Sequence, residues 1–381
     1  MNREDFPILS AHPELVYLDS ANTALKPQTV VDAVTRYCES IGANVGRASY
    51  TLGEEATREF EAVRGSVAGL IGCSSDEVVF TYSTTYGLNQ VARGFMHRLE
   101  TEDVILLSLH EHNSNLVVWQ KVAEETGAKI QFAEEEFELE RVKIFSYALV
   151  SNVTGQIFDY AELIGELREN GALVCVDAAQ AVGRREVSVV DLDCDFLVFS
   201  SHKIGGPSGV GVLYCRRDLM DEMVPLVYGS ASVESVGRTK SGLRSGASRF
   251  EPGTPNIEGA IGLGAAVEYC NVEANTVHDC ELVEAWSMVV DKSGLREWVV
   301  GESEVGIFAL NHPKVHPHDI AMLLDGDGIA VRAGKMCADL LLDNLGIARG
   351  VVRASCGSYT TVEDLRKFAE GYARAIERLD G

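Results

Sequence analysis

The sequence lacks both a membrane-spanning segment and a recognisable signal peptide. No apolar run in its 381 residues approaches the roughly 18–20 residues that a transmembrane helix needs. The N-terminal stretch MNREDFPILSAHPELVYLD carries acidic residues where a signal peptide is basic, and it contains no long apolar core. These absences predict a cytoplasmic protein with no membrane partner.

Positive charge is scarce. The chain has 33 Lys and Arg against 57 Asp and Glu, which gives a formal net charge of −24. A nucleic-acid partner is therefore not expected, because phosphate contacts need clustered Lys and Arg. An anionic ligand would have to be held by local donors against this background charge.

Metal and disulfide motifs are also missing. The nine cysteines include no C-x-x-C pair, which is typical of a reducing compartment and excludes a disulfide framework or a zinc knuckle. The stretch HEHNSN (110–115) matches no zinc spacing, and for HPKVHPH (312–318), which could also bind metal, Pro317 and Asp319 are typical of the start of the next helix. We therefore expect no metal. No Walker sequence occurs, and the glycines of GAIGLGAAVEY (259–269) do not follow the dinucleotide-binding order.

Apolar strands alternate with amphipathic helices from about residue 29 to residue 280. This alternation predicts a mainly parallel sheet covered by helices. The predicted helices lie near 29–40, 54–70, 86–97, 115–126, 160–170 and 257–275, and the predicted strands are VVFT (78–81), VILLS (104–108), KIQFA (129–133), KIFSYAL (143–149), LVCVD (173–177), FLVFS (196–200) and GVLYC (211–215).

The last hundred residues follow a different pattern. The polar, glycine-rich stretch 229–255 is predicted as a long loop. The chain length favours two domains. The predicted units are an N-terminal segment (1–20) that packs with the small domain, a large domain (21–255) and a small α+β domain (256–381). The elements expected from about residue 279 are two helices, the strand VGIFAL (305–310), a helix near 318–325, the strand GIAVR (328–332) and a final helix near 361–379.

Polar residues follow three of the predicted strands. Asp177 ends LVCVD, Lys203 follows FLVFS, and Thr84 and Thr85 follow VVFT at the start of a helix. Alone, each has a plain structural interpretation: a helix cap, an ion-pair partner or a surface lysine. In open α/β sheets, however, ligands bind at the carboxyl ends of strands, and a helix N-terminus can bind phosphate. Together these residues match pyridoxal 5′-phosphate (PLP), which needs a Schiff-base lysine, a carboxylate at the pyridine nitrogen and a phosphate turn.

The sequence also resembles a known family. It is similar to the class V, fold-type I PLP-dependent enzymes, and most of all to the SufS-like group of cysteine desulfurases and selenocysteine lyases. This resemblance implies an α/β PLP-dependent transferase fold, with a mainly parallel sheet in a large domain, a smaller α+β C-terminal domain and a homodimeric assembly. The motifs that carry it run from YLDSANTALKP (17–27) through SNVTGQI (151–157), VDAAQAVG (176–183), SSHKIGGPSGVG (200–211), RFEPGTPN (249–256) and GIAVRAGKMCA (328–338) to RASCGSYTTVEDL (353–365).

The resemblance implies how the cofactor is held. Lys203 would form the Schiff base, Asp177 would pair with the pyridinium nitrogen, and His112 would stack on the ring. The other implied contacts are Gln180 and Asn152 at the phenolic oxygen of the ring, with Thr84, Thr85, Ser200, His202 and Thr254 of a second subunit at the phosphate.

The resemblance also implies the reaction, a cysteine desulfurase reaction on L-cysteine. Lys203 would move the Cα proton, and Arg353 would bind the substrate carboxylate through a bidentate contact, with Asn152 nearby. Cys337 would take the sulfur as a persulfide, leaving alanine. The persulfide would pass to an acceptor or scaffold protein for iron–sulfur cluster or thio-cofactor assembly.

The role of Cys337 distinguishes the possible functions from one another. Most cysteines are inert core residues, but this one lies in a glycine-rich loop where Arg332 and Lys335 would favour its thiolate. The alternatives are a selenocysteine lyase, or a class V aminotransferase in which Cys337 is incidental. A protein that mainly docks sulfur carriers is a further alternative, against which Lys203 and the other intact site residues argue.

The sequence departs from the SufS-like pattern at two places. Lys335 and Met336 stand where histidines are expected just before the cysteine, and Tyr86 stands where a glutamate is expected. The absence of the histidines puts the expected proton delivery or sulfur acceptor in question. Tyr86 puts the expected contacts between subunits in question.

Overall fold

A computed structural model describes residues 3–46 and 49–380 of the chain. Its helices are α1 (Pro7–Ala11), α2 (Gln28–Arg36), α3 (Thr51–Ile71), α4 (Thr84–Phe95), α5 (Asn113–Thr126), α6 (Ala161–Glu169), α7 (Arg217–Met220), α8 (Ile257–Tyr269), α9 (Val272–Lys292), α10 (Pro317–Gly326), α11 (Asp339–Asn344) and α12 (Val362–Asp380). Its strands are β1 (Val16–Tyr17), β2 (Val78–Thr81), β3 (Val104–Leu107), β4 (Lys129–Phe132), β5 (Val142–Ala148), β6 (Leu173–Asp177), β7 (Phe196–Ser200), β8 (Gly211–Cys215), β9 (Val233–Val236), β10 (Ser241–Leu243), β11 (Val299–Val300), β12 (Ile307–Leu310), β13 (Ile329–Ala330), β14 (Arg332–Gly334) and β15 (Val351–Ser355).

A seven-stranded sheet forms the centre of the large part of the molecule. Its strand order is β2-β8-β7-β6-β5-β3-β4, and every pairing is parallel except the two that β8 makes. Helices cover both faces, so the central strands are buried throughout. Their nearly continuous apolar runs, such as Leu173–Asp177 and Phe196–Ser200, are typical of strands in such a position.

Each face of this sheet has its own apolar core. One face packs against α3, α6 and α8, whose side chains include Phe60, Leu167 and Ile261. The other packs against α4, α5 and α7, with Trp119 completely buried. The mainly parallel α/β sheet predicted from the sequence is therefore confirmed.

The C-terminal part is built around a smaller antiparallel sheet. Its order is β11-β12-β15-β14, and α9, α10 and α12 pack on it through a core that includes Trp286, Phe308 and Phe368. The N-terminal segment joins this unit, since β1 pairs in parallel with β13. Helix α8, which begins the predicted small domain, packs against helices α2 and α3 in the part of the molecule that contains the large sheet. The division of the chain at residues 20 and 255 stays a prediction.

Four details of the predicted elements are wrong. The predicted strand GIAVR (328–332) is two short strands, β13 and β14, which belong to different sheets. The stretch 229–255 contains an antiparallel hairpin of β9 and β10, which ladder hydrogen bonds hold together although Val236 is exposed. The helix predicted over 257–275 ends at Tyr269, because Cys270 is extended and Asn271 caps the separate helix α9. After residue 279 only α9 and a 3₁₀ turn precede β11, where two helices were expected.

No helix in the described residues is both long enough and apolar enough to span a bilayer. Location in the cytoplasm stays a prediction.

Candidate active site

Five strands of the large sheet bring polar residues to one edge. β3, β5, β6 and β7 are parallel, so their carboxyl ends lie on the same side of the sheet. β2 and β7 both run antiparallel to β8, and β2 therefore points the same way. The segments that follow these strands carry the residues predicted to form the site, as expected for an open α/β sheet.

These residues surround one cavity of about 510 Å³ between the sheet edge and the C-terminal part. The cavity brings together all the predicted site residues except one. Those that line it are Thr84, Thr85, His112, Asn152, Asp177, Gln180, Ser200, His202, Lys203, Cys337 and Arg353. A cavity of this size, with a few convergent polar groups, has the properties of a small-molecule site.

Thr254 is the residue that does not line the cavity. It is exposed, and its hydroxyl accepts a 3.4 Å hydrogen bond from Asn44 Nδ2 of the same chain. Its assignment to the phosphate of a second subunit stays a prediction.

Lys203 and Asp177 form the charged centre of the cavity. Lys203 lies in the 3₁₀ turn after β7, and burial lowers the pKa of its amine while the charge of Asp177 opposes this shift. A lowered pKa leaves more of the amine unprotonated, which is the form that attacks a carbonyl carbon. The buried Asp177 carboxylate accepts a 2.9 Å hydrogen bond from the backbone N–H of Ala179, which fixes its orientation.

The N-terminus of α4 forms a pocket rich in hydroxyl groups. Ser200 Oγ accepts from the backbone N–H of Thr84 at 2.8 Å, and the hydroxyls of these two residues are 2.7 Å apart. Thr85 and Ser114 pair their hydroxyls at 2.9 Å beside them. Burial and the charges of two lysines lower the pKa of His202 to about 4. Hydroxyls and a positive helix end are donors that suit a phosphate.

Two glycines allow this close packing. A Cβ at Gly87 would lie 2.7 Å from Val198 Cγ1, so the glycine lets α4 rest directly on β7. A Cβ at Gly211 would lie 2.6 Å from the carbonyl carbon of Ser83. Larger residues at either position would push the start of α4 away from the sheet edge.

His112 caps α5 and lines the cavity. Its Nδ1 accepts a 3.1 Å hydrogen bond from the backbone N–H of Ser114, so the proton of the neutral ring lies on Nε2. Burial lowers the pKa of His112, and the nearby charge of Asp177 opposes the shift. The neutral ring is flat and apolar on its faces, as stacking on an aromatic ring requires.

Arg353 is a nearly completely buried arginine in β15. Nη1 donates to the backbone oxygen of Asn152 at 2.8 Å, and Nη2 lies 3.3 Å from Asp19 Oδ1. Burial lowers the pKa of Arg353 to about 10, and the charge of Asp19 opposes this shift. Within the described chain, no group accepts from its buried Nε. Arg353 is therefore held in place at the cavity wall by Asn152 and Asp19.

Cys337 lies in the loop between β14 and α11 and is exposed on the cavity wall. The two cations expected to favour its thiolate are both paired with carboxylates: Arg332 with Asp19 and Lys335 with Asp339 and Asp343. That Arg332 and Lys335 favour the thiolate stays a prediction. Cys337 and Lys203 line the same cavity.

Sequence reasoning missed two acidic residues of the site. Asp19 forms ion pairs with both Arg353 and Arg332. It lies more than 300 positions before them in the sequence, so only its place in the motif YLDSANTALKP could have indicated a role. Glu111 is completely buried behind His112, and burial raises its pKa to about 8. Its carboxyl group accepts from Asn115 Nδ2 and from the backbone N–H of Ala148, which ties α5 to the end of β5.

The donor set fits PLP better than it fits a metal. The cavity offers a buried amine, a fixed carboxylate and a phosphate-type helix end at the edges of one volume, which are the groups the cofactor needs. No group of three or more His, Cys, Asp or Glu side chains in residues 3–46 and 49–380 is arranged to hold a metal ion.

The chain is similar to known proteins over nearly its full length. The family model for aminotransferase class-V matches residues 16–368. A probable cysteine desulfurase from Vibrio cholerae is 38% identical over 99% of this chain and 98% of its own length. One from Xylella fastidiosa strain Temecula1 is 35% identical over 96% and 92%.

Two solved structures share the fold closely. The apo structure of a cysteine desulfurase from Thermococcus onnurineus NA1 has a TM-score of 0.93 and 35% identity, covering 99% of this chain and 98% of its own. The cysteine desulfurase CsdA from Escherichia coli has a TM-score of 0.90 and 34% identity, with the same coverage.

Proposed function

The chain belongs to the aminotransferase class-V family, as a cysteine desulfurase, and we propose that its cavity binds PLP and transfers the sulfur of L-cysteine to Cys337. The observation that carries this proposal is the lining of one cavity by Lys203, Asp177, Arg353 and Cys337. An amine, a carboxylate, a guanidinium and a thiol are the four groups that the reaction needs.

Lys203 and Asp177 would hold the cofactor, with Thr84, Thr85, Ser200 and His202 at its phosphate. PLP, when bound, supplies an electron sink next to the Cα atom of an amino acid. Lys203 would take the Cα proton and later return a proton, a role that a lowered amine pKa favours. Arg353 would fix the substrate carboxylate, and His112 and Asn152 would hold the bound groups in a flat arrangement.

The thiolate of Cys337 would attack the sulfur of the bound cysteine. An S–S bond forms, the Cβ–S bond breaks, and its electron pair stays with the carbon, which then takes a proton. L-cysteine and the thiol of Cys337 thus give L-alanine and a persulfide on Cys337, with no external oxidant. The exposed position of Cys337 would let an acceptor or scaffold protein remove this sulfur for iron–sulfur cluster or thio-cofactor assembly.

The direct test is to incubate the PLP-loaded protein with L-cysteine, and then with L-selenocysteine, and to quantify alanine. Equal amounts of alanine and released or protein-bound sulfur support the desulfurase function. Alanine from selenocysteine alone would identify a selenocysteine lyase. Conversion of the cofactor to its pyridoxamine form by an amino donor would identify an aminotransferase.

We expect Arg353→Ala to lower the affinity for L-cysteine by about 30-fold or more. The variant loses a buried, charge-assisted contact to the substrate carboxylate, and such losses cost about 2–5 kcal/mol. The measurement is a titration of the PLP absorption spectrum with L-cysteine. Arg374→Ala is the matched control, because Arg374 is exposed and paired with Asp327. Unchanged affinity in Arg353→Ala, with normal PLP content, would contradict this role.

We also propose a two-fold dimer in which Thr254 completes the phosphate site of the partner. The surface next to Thr254 supports this, since the exposed apolar side chains of Tyr82 and Val227 share a pocket with its chain neighbour Pro255. Light scattering should give the mass of two chains, and Thr254→Ala should weaken PLP binding without dissociating the dimer. A monomer with full PLP content and activity would contradict the proposal.

A further inference from the structure

The backbone at Cys337 has an unusual conformation. Met336 and Cys337 have φ values of 57° and 52°, in the left-handed region that non-glycine residues rarely adopt. Two such residues in succession keep this conformation only where surrounding contacts fix it. Those contacts therefore determine where the sulfur of Cys337 lies.

Four contacts hold the loop. The backbone N–H of Asn113 donates to the Cys337 oxygen at 2.6 Å, and Asn152 Nδ2 donates to the Met336 oxygen at 2.8 Å. The side chain of Met336 is buried in a small apolar cluster with Ala338 and Leu341. Met336 thus anchors the loop through its buried side chain, at a position where a histidine is expected from the SufS-like pattern.

A fourth contact is a pair of side chains, Asn113 and Asp339. Asn113 Nδ2 donates to Asp339 Oδ2 at 2.9 Å, and the backbone N–H of Asp339 donates back to Asn113 Oδ1 at 3.4 Å. This hydrogen bond is the largest cause of a lowered Asp339 pKa. The two residues begin helices α5 and α11, so they connect the helix after His112 to the helix after Cys337.

We propose that the pair Asn113–Asp339, named here the clasp, positions the Cys337 thiol relative to the substrate held under His112. The inference rests on the proposed function, since it assigns positioning residues for the sulfur-transfer step. Asn113 directly follows His112, so one short segment sets the place of the ring and of the nucleophile loop. The clasp acts through Cys337 and is not itself a reacting group.

The test compares Asn113→Ala with the wild type in three measurements. Hydrogen exchange of the peptide spanning 334–341 should become faster, and the kcat for alanine formation should fall about 10- to 100-fold, the scale of a small misplacement of reacting groups. The affinity for L-cysteine, measured from the absorption change, should stay within about twofold because Arg353 is unchanged. Asn170→Ala is the matched control, since Asn170 is an exposed helix-end asparagine.

A variant in which the two residues of the clasp are exchanged distinguishes an effect on the position of the loop from an effect on the stability of the protein. Asn113→Asp places two carboxylates against each other and should slow the reaction further. The double variant N113D/D339N restores a donor and an acceptor in the opposite order and should recover most of the lost kcat. Unchanged exchange and kcat in Asn113→Ala, or a double variant no better than Asn113→Asp, would overturn the clasp. If the wild type made no alanine at all, the proposed function would fail, while the exchange measurement would still decide whether the clasp holds the loop.

Discussion

Lys203→Ala is expected to lower alanine formation from L-cysteine by about 10²- to 10⁴-fold, the range that removal of a general acid–base group produces. The substitution removes the amine at the end of β7 whose pKa burial lowers. The phosphate pocket at α4 and the Asp177 carboxylate remain, so PLP should still bind, although without a covalent link. The measurements are alanine production and borohydride reduction followed by peptide mass analysis.

The borohydride result distinguishes Lys203 from the other lysines. In the wild type the reduced cofactor should be found on the peptide that contains Lys203, and in Lys203→Ala it should be lost on dialysis. Lys121→Ala serves as the control, because Lys121 is an exposed α5 residue paired with Glu124. Cofactor recovered on another lysine would rule out the role of Lys203 even if the fold and the cavity are as described.

Much of the site could be predicted because its residues follow strands directly. A strand buried on both faces has a strong apolar signal, and the chain order then fixes which residue comes at its carboxyl end. Asp177, Lys203 and Thr84 were found in this way, and the structure brings all three to one cavity. The roles of residues such as Arg353 and His112 came instead from the resemblance to a family, because neither follows a strand end in a way that specifies its chemistry.

The contacts between distant segments could not be predicted in the same way. Asp19 reaches Arg353 because the N-terminal segment joins the small sheet region, through the two-residue pairing of β1 with β13 and a parallel bridge between Asp19 and Ser355. The clasp of Asn113 and Asp339 joins positions 226 residues apart. No local pattern encodes such a pair, because each residue alone is an ordinary polar residue at a helix start.

The hairpin of β9 and β10 shows a different limit of predicting structure from sequence. Its short strands are mostly exposed, so the periodic apolar signal that identifies a strand is nearly absent there. Ladder hydrogen bonds, which any sequence can form, hold the two strands together. Composition therefore predicted a loop over a segment that is partly regular.

Cys337→Ala is expected to lower alanine formation from L-cysteine by about 10³-fold or more, on the scale seen when a reacting nucleophile is removed. Folding and PLP binding should survive, because the side chain is exposed and Met336 and Asn152 still hold the loop. L-cysteine should still change the absorption spectrum, since Lys203 and Arg353 are intact. The binding of substrate and the transfer of sulfur are thus separable.

The controls for Cys337→Ala are mass spectrometry for an added sulfur and a variant of a second exposed cysteine. Cys280→Ala removes another exposed cysteine outside the cavity and should leave the rate unchanged. In the wild type, brief treatment with L-cysteine should add one sulfur to the Cys337 peptide and none to the Cys280 peptide.

Selenocysteine should remain a substrate of Cys337→Ala, because selenium leaves carbon more easily than sulfur and does not need the attacking thiolate. A Cys337→Ala enzyme as fast as the wild type, with no added sulfur on Cys337 in the wild type, would refute sulfur transfer through this residue. The assignment of Lys203 to PLP would stand, because it depends on the residues after the strands of the large sheet and not on Cys337.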